Sequence, residues 1–415
     1  MHTDDKSMKV LIFSQYFWPE SFRINDITKS LCAKGLHVEV VTGKPNYPNG
    51  IILDGYKSLG YQLDSHYDVE IHRIPLVARG RGALRLLINY ISFVISGLLF
   101  SPWVLRRKRF DVIFVYGLSP ILQAIPAIFL GWIKGIPVVL WVQDLWPESL
   151  SATGYIKNKM VLKLVEYAVR FIYRHVDLLL VQSQSFIEPV NTLASSTPVK
   201  YYPNSVDETF YAPITTDVPA MSGLRDGFSV MFAGNIGSAQ AVEVIIEAAT
   251  LLQEYTDIHF VIIGDGSRRD WMLQETNDRG LSNFHLPGRF SVDTMPGLMR
   301  KASALLVTLS NQDIFAFTVP SKIQAYMAAG RPILACLNGE GARLVVEADA
   351  GLAVPAEDAK KLADAVLQLY RMSVIDRERL GRNGQHYYKE HFDHDKLMVE
   401  LIGLFEAVLQ NKKRN

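Results

Sequence analysis

Short apolar runs separated by helical patterns fill the first half of the chain. An apolar run at residues 10–14 is followed by a loop, a helical pattern over 24–33 that Gly35 ends, and a second apolar run at 38–42. This strand–loop–helix–strand order is typical of a doubly wound parallel sheet. Later apolar runs predict five more strands, at residues 69–74, 112–115, 138–141, 178–181 and 199–202.

The same alternation returns after a break that contains several prolines. Periodicity is lost between Pro203 and Pro219, and strands are then predicted at residues 228–233, 259–263, 284–286 and 305–308. The pattern therefore predicts two Rossmann-like α/β domains, at residues 1–205 and 206–392, joined by a linker. Residues 393–415 contain a last helix, at about 395–410, which we expect to pack back on the first domain.

Residues 317–334 predict a helix that begins at the carboxyl end of the second sheet. Pro320 suits a first helical turn because it has no N–H to leave unpaired, Thr318 is placed to cap the helix, and Gly330 ends it. A helix start directs free N–H groups and a positive dipole at an anion, and Lys322 adds a full charge. We interpret this stretch as a phosphate site; the alternative is an ordinary helix with a surface lysine.

Several other loops of the second domain follow predicted strands and contain glycine, which lets backbone approach a ligand. They are Gly234-Asn235-Ile236-Gly237-Ser238, Gly264-Asp265-Gly266, Gly288-Arg289-Phe290 and Gly339-Glu340-Gly341. Because ligands of such sheets bind at the carboxyl ends of the strands, these loops should converge. Their convergence, with Lys322 and Arg289 as cations, predicts a nucleotide-diphosphate site.

The loops that follow strands of the first domain have a different character. Residues 15–23 include Trp18, Glu20 and Arg23 and lack glycine, so aromatic rings and charged groups suit a sugar acceptor better than a phosphate. Residues 143–151 combine Asp144, Trp146 and Glu148 in the same way. The alternatives are that Trp146 only packs and that Asp144 caps the next helix.

Residues 86–105 carry no charge and are long enough to span a bilayer of ~30 Å. Basic residues flank both ends (Arg79, Arg81 and Arg85; Arg106, Arg107, Lys108 and Arg109), so no orientation is favoured. A single crossing would also separate strands that must pair. We therefore expect residues 79–109 to form a helix or hairpin in the membrane interface; the alternative is a buried crossover helix, and both descriptions can hold.

Composition narrows the class of protein further. The chain has 415 residues, a net charge of +1 and two cysteines. This charge gives no argument for nucleic acid, and two distant cysteines indicate a reduced, cytoplasmic protein without a disulfide framework. The polar N-terminus lacks the apolar core of a signal peptide. Asp393-His394-Asp395 has metal-ligand spacing but lies where the last helix begins, so we interpret it as a cap and predict no metal site.

These motifs together resemble the family 4 glycosyltransferases of the GT-B fold, over nearly the whole chain. The resemblance rests on residues 203–207, Gly264-Asp265-Gly266, Pro320-Ser321-Lys322 and the Tyr-Met-Ala-Ala-Gly-Arg-Pro of residues 326–332. It implies two Rossmann-like domains facing a central cleft, with the acceptor on the first and the nucleotide sugar on the second. Residues 15–25 and 141–154 look closest to the WbuB/WcaI-like branch, which builds bacterial O-antigen and exopolysaccharide.

The resemblance implies a retaining, metal-independent transfer from a nucleotide sugar, without a further cofactor. The expected donor is UDP-linked and carries an N-acetyl-fucosamine-type sugar. The expected acceptor is a polyprenyl-diphosphate-linked saccharide, at the inner face of the cell membrane. Combining loops and resemblance, we assign catalysis to Lys322 and Asp144, and acceptor binding to Trp18, Glu20, Arg23, Trp146 and Glu148. Donor binding is assigned to Gly234, Asn235, Gly237, Ser238, Gly264, Gly266, Arg289, Phe290, Thr318, Pro320, Ser321, Glu340 and Glu347.

The chain also departs from the family pattern. Phe317 and Ala325 stand where many members have two glutamates, Asn235 where an arginine is frequent, and Gln143 where a histidine is frequent. Ribose recognition is therefore expected from Glu340 or Glu347. Two other functions fit the same fold: a nucleotide-sugar epimerase, and an inactive nucleotide-sugar-binding partner subunit, which Phe317 and Ala325 would favour.

Overall fold

A computed structural model of the chain describes residues 7–80, 82–152, 158–206, 210, 219–224 and 227–414. The chain divides into two compact units. The first comprises residues up to Tyr202 together with those from Asp395 onward, and the second is Pro203–His394. Arg81, Asp207 and most of the predicted linker lie outside the described residues.

The first unit contains eight strands and seven α-helices among its described residues. The strands are β1 (Lys9–Phe13), β2 (His37–Gly43), β3 (Gln62–His66), β4 (Val69–Ile74), β5 (Val112–Gly117), β6 (Val138–Val142), β7 (Leu178–Val181) and β8 (Val199–Tyr201). The helices are α1 (Arg23–Ala33), α2 (Ala83–Val104), α3 (Ala124–Lys134), α4 (Glu148–Ala152), α5 (Lys159–Arg174), α6 (Ile187–Ala194) and, at the end of the chain, α15 (His394–Arg414), joined by short 3₁₀ turns.

The strands of the first unit form one sheet in the order β3-β4-β2-β1-β5-β6-β7-β8. All neighbouring pairs are parallel except β3 with β4. Strand β3 was not predicted, because this edge strand is polar and follows the periodicity of neither a buried strand nor a helix. The seven predicted strands all form, with ends within two residues of those expected.

The last helix, α15, packs on one face of this sheet. Its apolar side chains, among them Leu397, Leu401 and Phe405, are buried in a cluster with residues of β1, β5 and β6. The ring of Phe405 meets that of Phe114 edge to face, with the centroids 5.4 Å apart. Tyr202 donates a hydrogen bond through its hydroxyl to the Leu397 carbonyl. Burial of this apolar stripe is what holds the helix on the first unit.

The second unit contains six strands among its described residues: β9 (Phe228–Asn235), β10 (Ile258–Asp265), β11 (Phe284–Gly288), β12 (Ala304–Thr308), β13 (Ile333–Cys336) and β14 (Gly351–Val354). Its helices are α7 (Glu243–Leu251), α8 (Arg269–Asp278), α9 (Met295–Lys301), α10 (Asp313–Phe317), α11 (Ser321–Ala329), α12 (Glu340–Glu347), α13 (Ala359–Arg371) and α14 (Val374–His391).

These six strands are all parallel, in the order β11-β10-β9-β12-β13-β14. Alternate residues of β9 face opposite sides, so Met231 belongs to the core under α11 while Val230 and Phe232 belong to the core under α7 and α13. A sheet buried on both faces explains why its strands are continuous apolar runs. The crossover helices return over these faces, which brings every helix start to the carboxyl edge.

Candidate active site

The carboxyl edge of the second sheet is built from closely packed glycine backbone. Gly234 and Gly264 are register partners at the ends of β9 and β10, with φ angles of 137° and 146°. A Cβ atom on Gly264 would lie 1.8 Å from the Gly234 carbonyl oxygen, and one on Gly266 would lie 2.3 Å from the Ile236 carbonyl oxygen. Glycine is therefore needed at 264 and 266 for the approach of neighbouring backbone, whether or not a ligand binds.

Lys322 crosses this edge beside Gly234. A Cβ atom on Gly234 would lie 2.7 Å from Lys322 Cε and 3.1 Å from Nζ. The ammonium is buried and has no hydrogen-bond partner among the described residues. Burial lowers the pKa of Lys322 to about 7, since removing a charge from water disfavours its protonated form. An unpaired buried cation at the end of parallel strands is suited to an anionic ligand.

The ring of Phe232, which was not predicted as a site residue, lies against the ammonium. Lys322 Nζ lies 3.5 Å from the centroid of the Phe232 ring. A cation over an aromatic face is attracted by the ring quadrupole. Phe232 is one apolar residue in an apolar strand, so the sequence carries no signal that sets it apart.

Helix α11 begins as predicted at Pro320-Ser321, but its cap differs. Pro320 is the N-cap, in extended conformation, and no side chain accepts a hydrogen bond at this end. The expectation that Thr318 caps the helix is wrong, because its hydroxyl donates to the Ile314 carbonyl of α10. The helix start is thus left without a side-chain cap beside Lys322, which favours an external anion. Gly330 ends the helix with a φ of 72°.

Helix α12 begins at Glu340, whose side chain is buried. Arg343 binds both carboxylate oxygens of Glu340, with its Nε and Nη2 at 2.9 and 2.8 Å. Glu347 lies in the last turn of this helix, where it pairs with Arg343 and accepts a hydrogen bond from the Tyr387 hydroxyl at 2.9 Å. Because Glu347 already has these two partners at the end of α12, its assignment to donor binding stays a prediction.

The remaining donor-site candidates lie at or near the same edge. Asn235 is exposed and donates to the Gln240 side chain, at 3.1 Å. A Cβ atom on Gly237 would lie 2.8 Å from Asn235 Nδ2, so this loop is tightly folded. Ser238 begins a short 3₁₀ turn that leads toward α7. Beyond β11, Arg289 is exposed and Phe290 packs against the core.

Phe317 and Ala325, which replace the glutamates of the family pattern, lie on either side of the α11 start. Phe317 is the last residue of α10. Ala325 is buried in the core that includes Tyr326 and Met327. A carboxylate at position 325 would therefore need a different local packing, and ribose recognition has to use other groups.

In the first unit, Glu20 braces two loops. Its Oε1 accepts hydrogen bonds from the backbone N–H groups of Asn46 and Tyr47, at 2.7 and 2.6 Å, and its Oε2 accepts one from Phe17 at 3.3 Å. The side chain is 5% exposed. The assignment of Glu20 to acceptor binding is therefore corrected, because both oxygens already hold backbone.

The two other candidates of this loop differ in their surroundings. Trp18 stacks on His66, with the ring centroids 3.9 Å apart, and its carbonyl accepts a hydrogen bond from Arg73. Trp18 thus packs this loop on β3. Arg23 begins α1, and its Nη1 is buried without a hydrogen-bond partner in the described part of the chain. Arg23 keeps a donor available to a ligand, whereas Trp18 is used in packing.

Asp144 follows β6 directly, and burial raises its pKa to about 6. No hydrogen bond or ion pair holds its carboxylate within the ranges that the structure describes. Its charge acts on the hydroxyls of Tyr116 and Tyr173, whose pKa values are raised first by burial and also by Asp144. The alternative that Asp144 caps α4 is not observed, since α4 begins four residues later. A carboxylate held with a high pKa at a strand end is a candidate for positioning a hydroxyl.

Trp146 is buried, and its indole N–H has no hydrogen-bond partner among the described residues. Glu148 is exposed at the start of α4. Both line a cavity with residues of α5 and α6. The structure therefore brings Asp144, Trp146 and Glu148 together, while Trp18 and Glu20 support a separate loop.

One group of described residues has the spacing of metal ligands: Glu39, Glu70 and His72. Lys108 already places a cation there, because its Nζ lies 2.8 Å from Glu39 Oε2 and also pairs with Glu70. Burial alone would raise the pKa of Glu39, but hydrogen bonds from His72 and Lys108 and the charge of Lys108 lower it to about 2. The group is a partly buried ion-pair cluster formed by β2, β4 and Lys108.

Family models match both halves of the chain. Residues 21–204 match the glycosyl transferase 4-like domain, and residues 227–372 match glycosyl transferases group 1. The chain belongs to the family 4 glycosyltransferases. It is an enzyme of the transferase class, as expected from its sequence.

Two curated relatives are similar over most of this glycosyltransferase. The putative colanic acid biosynthesis glycosyl transferase WcaI of Escherichia coli K12 is 27% identical over 338 residues, which covers 78% of this chain and 82% of WcaI. The probable glycosyltransferase WbjE of Pseudomonas aeruginosa is 27% identical over 321 residues, which covers 73% of this chain and 78% of WbjE.

A solved structure supports the fold of the glycosyltransferase. HepE from Anabaena, crystallised with UDP-glucose, matches with a TM-score of 0.68 and 17% identity, over 96% of this chain and 100% of HepE. At this identity the likeness shows the fold alone. The predicted fold class, two Rossmann-like α/β domains of the GT-B type, is confirmed.

Proposed function

We propose that this glycosyltransferase moves a sugar from a nucleotide-diphosphate donor onto a lipid-diphosphate-linked saccharide, with retention at the anomeric carbon. The observation that carries the proposal is the buried, unpaired ammonium of Lys322 beside Gly234 and the uncapped start of α11. A diphosphate would provide the missing charge partner. The UDP complexes of HepE, a protein of the same fold, favour UDP as the nucleotide.

The chemistry requires stabilisation of a leaving diphosphate. As the glycosidic bond breaks, negative charge grows on the phosphate oxygens and positive charge on the sugar ring. Lys322 and the amides of the α11 start are fixed before the reaction, so they stabilise that charge without reorganising. Retention follows if the acceptor hydroxyl attacks from the face that the diphosphate leaves and gives its proton to a phosphate oxygen. In this scheme no residue of the chain acts as base, and no metal is required.

The acceptor is assigned to the first unit. Asp144 accepts a hydrogen bond from the attacking hydroxyl and so positions it, and Arg23 offers an unpaired donor nearby on the same sheet edge. The resemblance to WcaI and WbjE favours a saccharide of bacterial surface polysaccharide synthesis as the acceptor. The donor sugar of N-acetyl-fucosamine type remains a proposal that rests on the branch resemblance.

Contact with a membrane is supported by helix α2, which has the length and composition of a membrane span. It nevertheless connects β4 and β5, which lie in one sheet, so it does not separate them across a bilayer. One face packs inward through Phe93, Gly97 and Ser101. The other exposes an apolar stripe at helical spacing, formed by Leu84, Leu87, Ile88, Ile91, Ile95, Leu99 and Trp103.

The exposed apolar surface continues onto neighbouring helices. Trp132 and Ile133 of α3 and Leu164 and Phe171 of α5 are also exposed. Trp132 and Phe171 meet edge to face, with the centroids 6.1 Å apart, which joins the two helices. Such a surface suits the interfacial layer of a bilayer. We propose a peripheral protein on the inner face of the cell membrane.

Basic residues at the α2 ends contribute unequally to this contact. Arg85, Arg106, Arg107 and Arg109 are exposed. Lys108 is held by Glu39 and Glu70, and the Arg79 guanidinium lies 5.4 Å from the centroid of the Tyr47 ring. The expectation that Lys108 meets lipid is therefore corrected, because it already has charge partners.

The proposal is tested with purified full-length protein, UDP-sugars and a polyprenyl-diphosphate saccharide. The Lys322→Ala variant should lose about 10²–10³-fold in turnover, the cost of removing one preorganised donor, while keeping its melting temperature. The matched control is Lys360→Ala, which removes an exposed lysine of α13. Unchanged turnover in Lys322→Ala would defeat the assignment.

A further inference from the structure

A cavity of about 280 Å³ lies in the first unit between the loop after β6 and helices α5 and α6. Its described wall is formed by residues 145–148, by Arg170 and Tyr173, and by apolar residues such as Val190 and Leu193. Pockets for drug-sized ligands are ~300–1,000 Å³. This one is therefore sized for a small ligand of about one ring.

Three polar atoms of this wall are buried without a hydrogen-bond partner among the described residues. They are the Trp146 indole nitrogen, Arg170 Nε and the Tyr173 hydroxyl oxygen. Trp146 and Tyr173 are 6% and 1% exposed. Buried polar groups in proteins are almost always paired, so three unpaired ones around one cavity indicate a missing partner. Two of them can only donate, so the partner must carry acceptor oxygens.

The charged side chains around the cavity disfavour binding of an anionic ligand. Glu166 pairs with Arg170 and neutralises its guanidinium, and Glu148 adds a carboxylate to the wall. The pKa of Tyr173 is raised by burial and then by the negative charges of Glu148 and Asp144. A ligand with hydroxyl oxygens and no net charge meets both requirements, because hydroxyls accept from N–H groups and donate to carboxylates.

We propose that this cavity binds an uncharged, hydroxyl-bearing sugar ring of the acceptor. The inference rests on the proposed glycosyl transfer and specifies its acceptor as a neutral saccharide rather than a uronic acid. Trp146 and Tyr173 supply aromatic surface with a polar tip, which suits a ring that is apolar on its face and polar at its edge. Asp144 lies two residues before Trp146, and its charge acts on the Tyr173 hydroxyl of the cavity wall.

The test is saturation-transfer NMR on the full-length protein without nucleotide. The probes are the methyl glycosides of glucose, galactose and N-acetylglucosamine, with methyl glucuronide as the charged comparison. Leu193→Trp fills the cavity, and Tyr173→Phe removes one hydroxyl with little change of shape. Met160→Trp is the matched control, because Met160 is exposed on α5 and does not line the cavity. The melting temperature of each variant, compared with that of the wild type, reports whether it is folded.

At least one neutral glycoside should bind the wild-type and Met160→Trp proteins, and its signal should vanish in Leu193→Trp. Tyr173→Phe should weaken binding about fivefold, the loss of one hydrogen bond. Signals that survive in Leu193→Trp, a stronger response from the glucuronide, or no response from any neutral probe would each overturn the inference. If glycosides bind as expected but no transfer occurs, the proposed function fails while the sugar pocket stands.

Discussion

The Lys322 ammonium lies over the Phe232 ring, with Nζ 3.5 Å from the ring centroid. The ring face provides a partial substitute for solvent, but no described residue provides a hydrogen-bond acceptor. This arrangement leaves the lysine with a pKa of about 7. Near neutral pH only part of the Lys322 side chains are therefore protonated before a ligand binds. Because an anionic ligand favours the protonated form, its affinity should depend on pH.

Nucleotide binding should take up a proton at pH 8. In the free protein Lys322 is then mostly neutral, and a bound diphosphate raises its pKa by placing negative charge beside it. Isothermal titration with UDP in HEPES and in Tris, which differ in ionisation enthalpy, should give an uptake approaching one proton per site. The uptake should fall toward zero at pH 6, where the free lysine is already charged.

Two variants give the control for this proton linkage. Lys322→Met has no proton to take up, and Lys322→Arg keeps its charge at all of these pH values because an arginine pKa lies above ~12. Neither should show a buffer-dependent enthalpy at pH 8. Equal proton uptake in the wild type and Lys322→Met would assign the proton to another group.

A methyl group at Gly234 should displace Lys322. Gly234→Ala places its Cβ 2.7 Å from Lys322 Cε, at a φ of 137° that L residues rarely adopt. We expect UDP affinity to fall at least about tenfold, measured by titration calorimetry. Gly280→Ala is the control for backbone strain, since Gly280 has a φ of 61° with open space around it. A similar loss of affinity in both variants would show that displacement of Lys322 is not the cause.

Ionisation of Asp144 should govern use of the acceptor. Since its pKa is raised to about 6, the carboxylate that accepts the hydroxyl hydrogen bond is formed only as pH rises through 6. The kcat/KM for the acceptor should increase over pH 5–7 in the wild type. In Asp144→Asn it should be about 10-fold or more lower and should not follow this titration. Asp278→Asn, an exposed control, should keep the wild-type profile.

The exposed stripe of α2 should bind anionic vesicles. Replacing Leu84, Ile91 and Leu99 with glutamine removes apolar area from the side that faces away from the core. We expect the variant to stay in the unbound fraction when vesicles containing phosphatidylglycerol are floated, while the wild type rises with them. The control replaces Val374 and Ile375 with glutamine, because these apolar residues of the second unit are about as exposed as those of the α2 stripe. If the α2 variant still rises with the vesicles, the exposed stripe of α2 is not the surface that binds the membrane.

The predicted strands form because each is an apolar run buried on both faces, and this signal is local. What the sequence could not provide were contacts between distant segments. Thr318 resembles a cap, yet its hydroxyl bonds back to Ile314 once α10 forms. Glu20 resembles an acceptor ligand, yet backbone amides of residues 46 and 47 fill its oxygens.

The same division holds for the candidate site: residues at the ends of strands and helices were predictable, and contacts between distant segments were not. Lys322 and Asp144 follow from their positions at strand and helix ends. The structure finds the Lys322 ammonium buried and Asp144 half-buried, both without a hydrogen-bond partner among the described residues. Phe232, Arg170 and Tyr173 have no sequence signal, because aromatic and basic residues are common on such strands and helices. Only the fold reveals that Tyr173 lies with Trp146 around one cavity.

The most direct test of the account is a crystal structure of the protein with UDP bound. A diphosphate oxygen should lie about 2.7–2.9 Å from Lys322 Nζ, the length of a charge-assisted hydrogen bond, with the α11 start facing the same phosphate. A nucleotide bound elsewhere, with Lys322 still unpaired over Phe232, would contradict it.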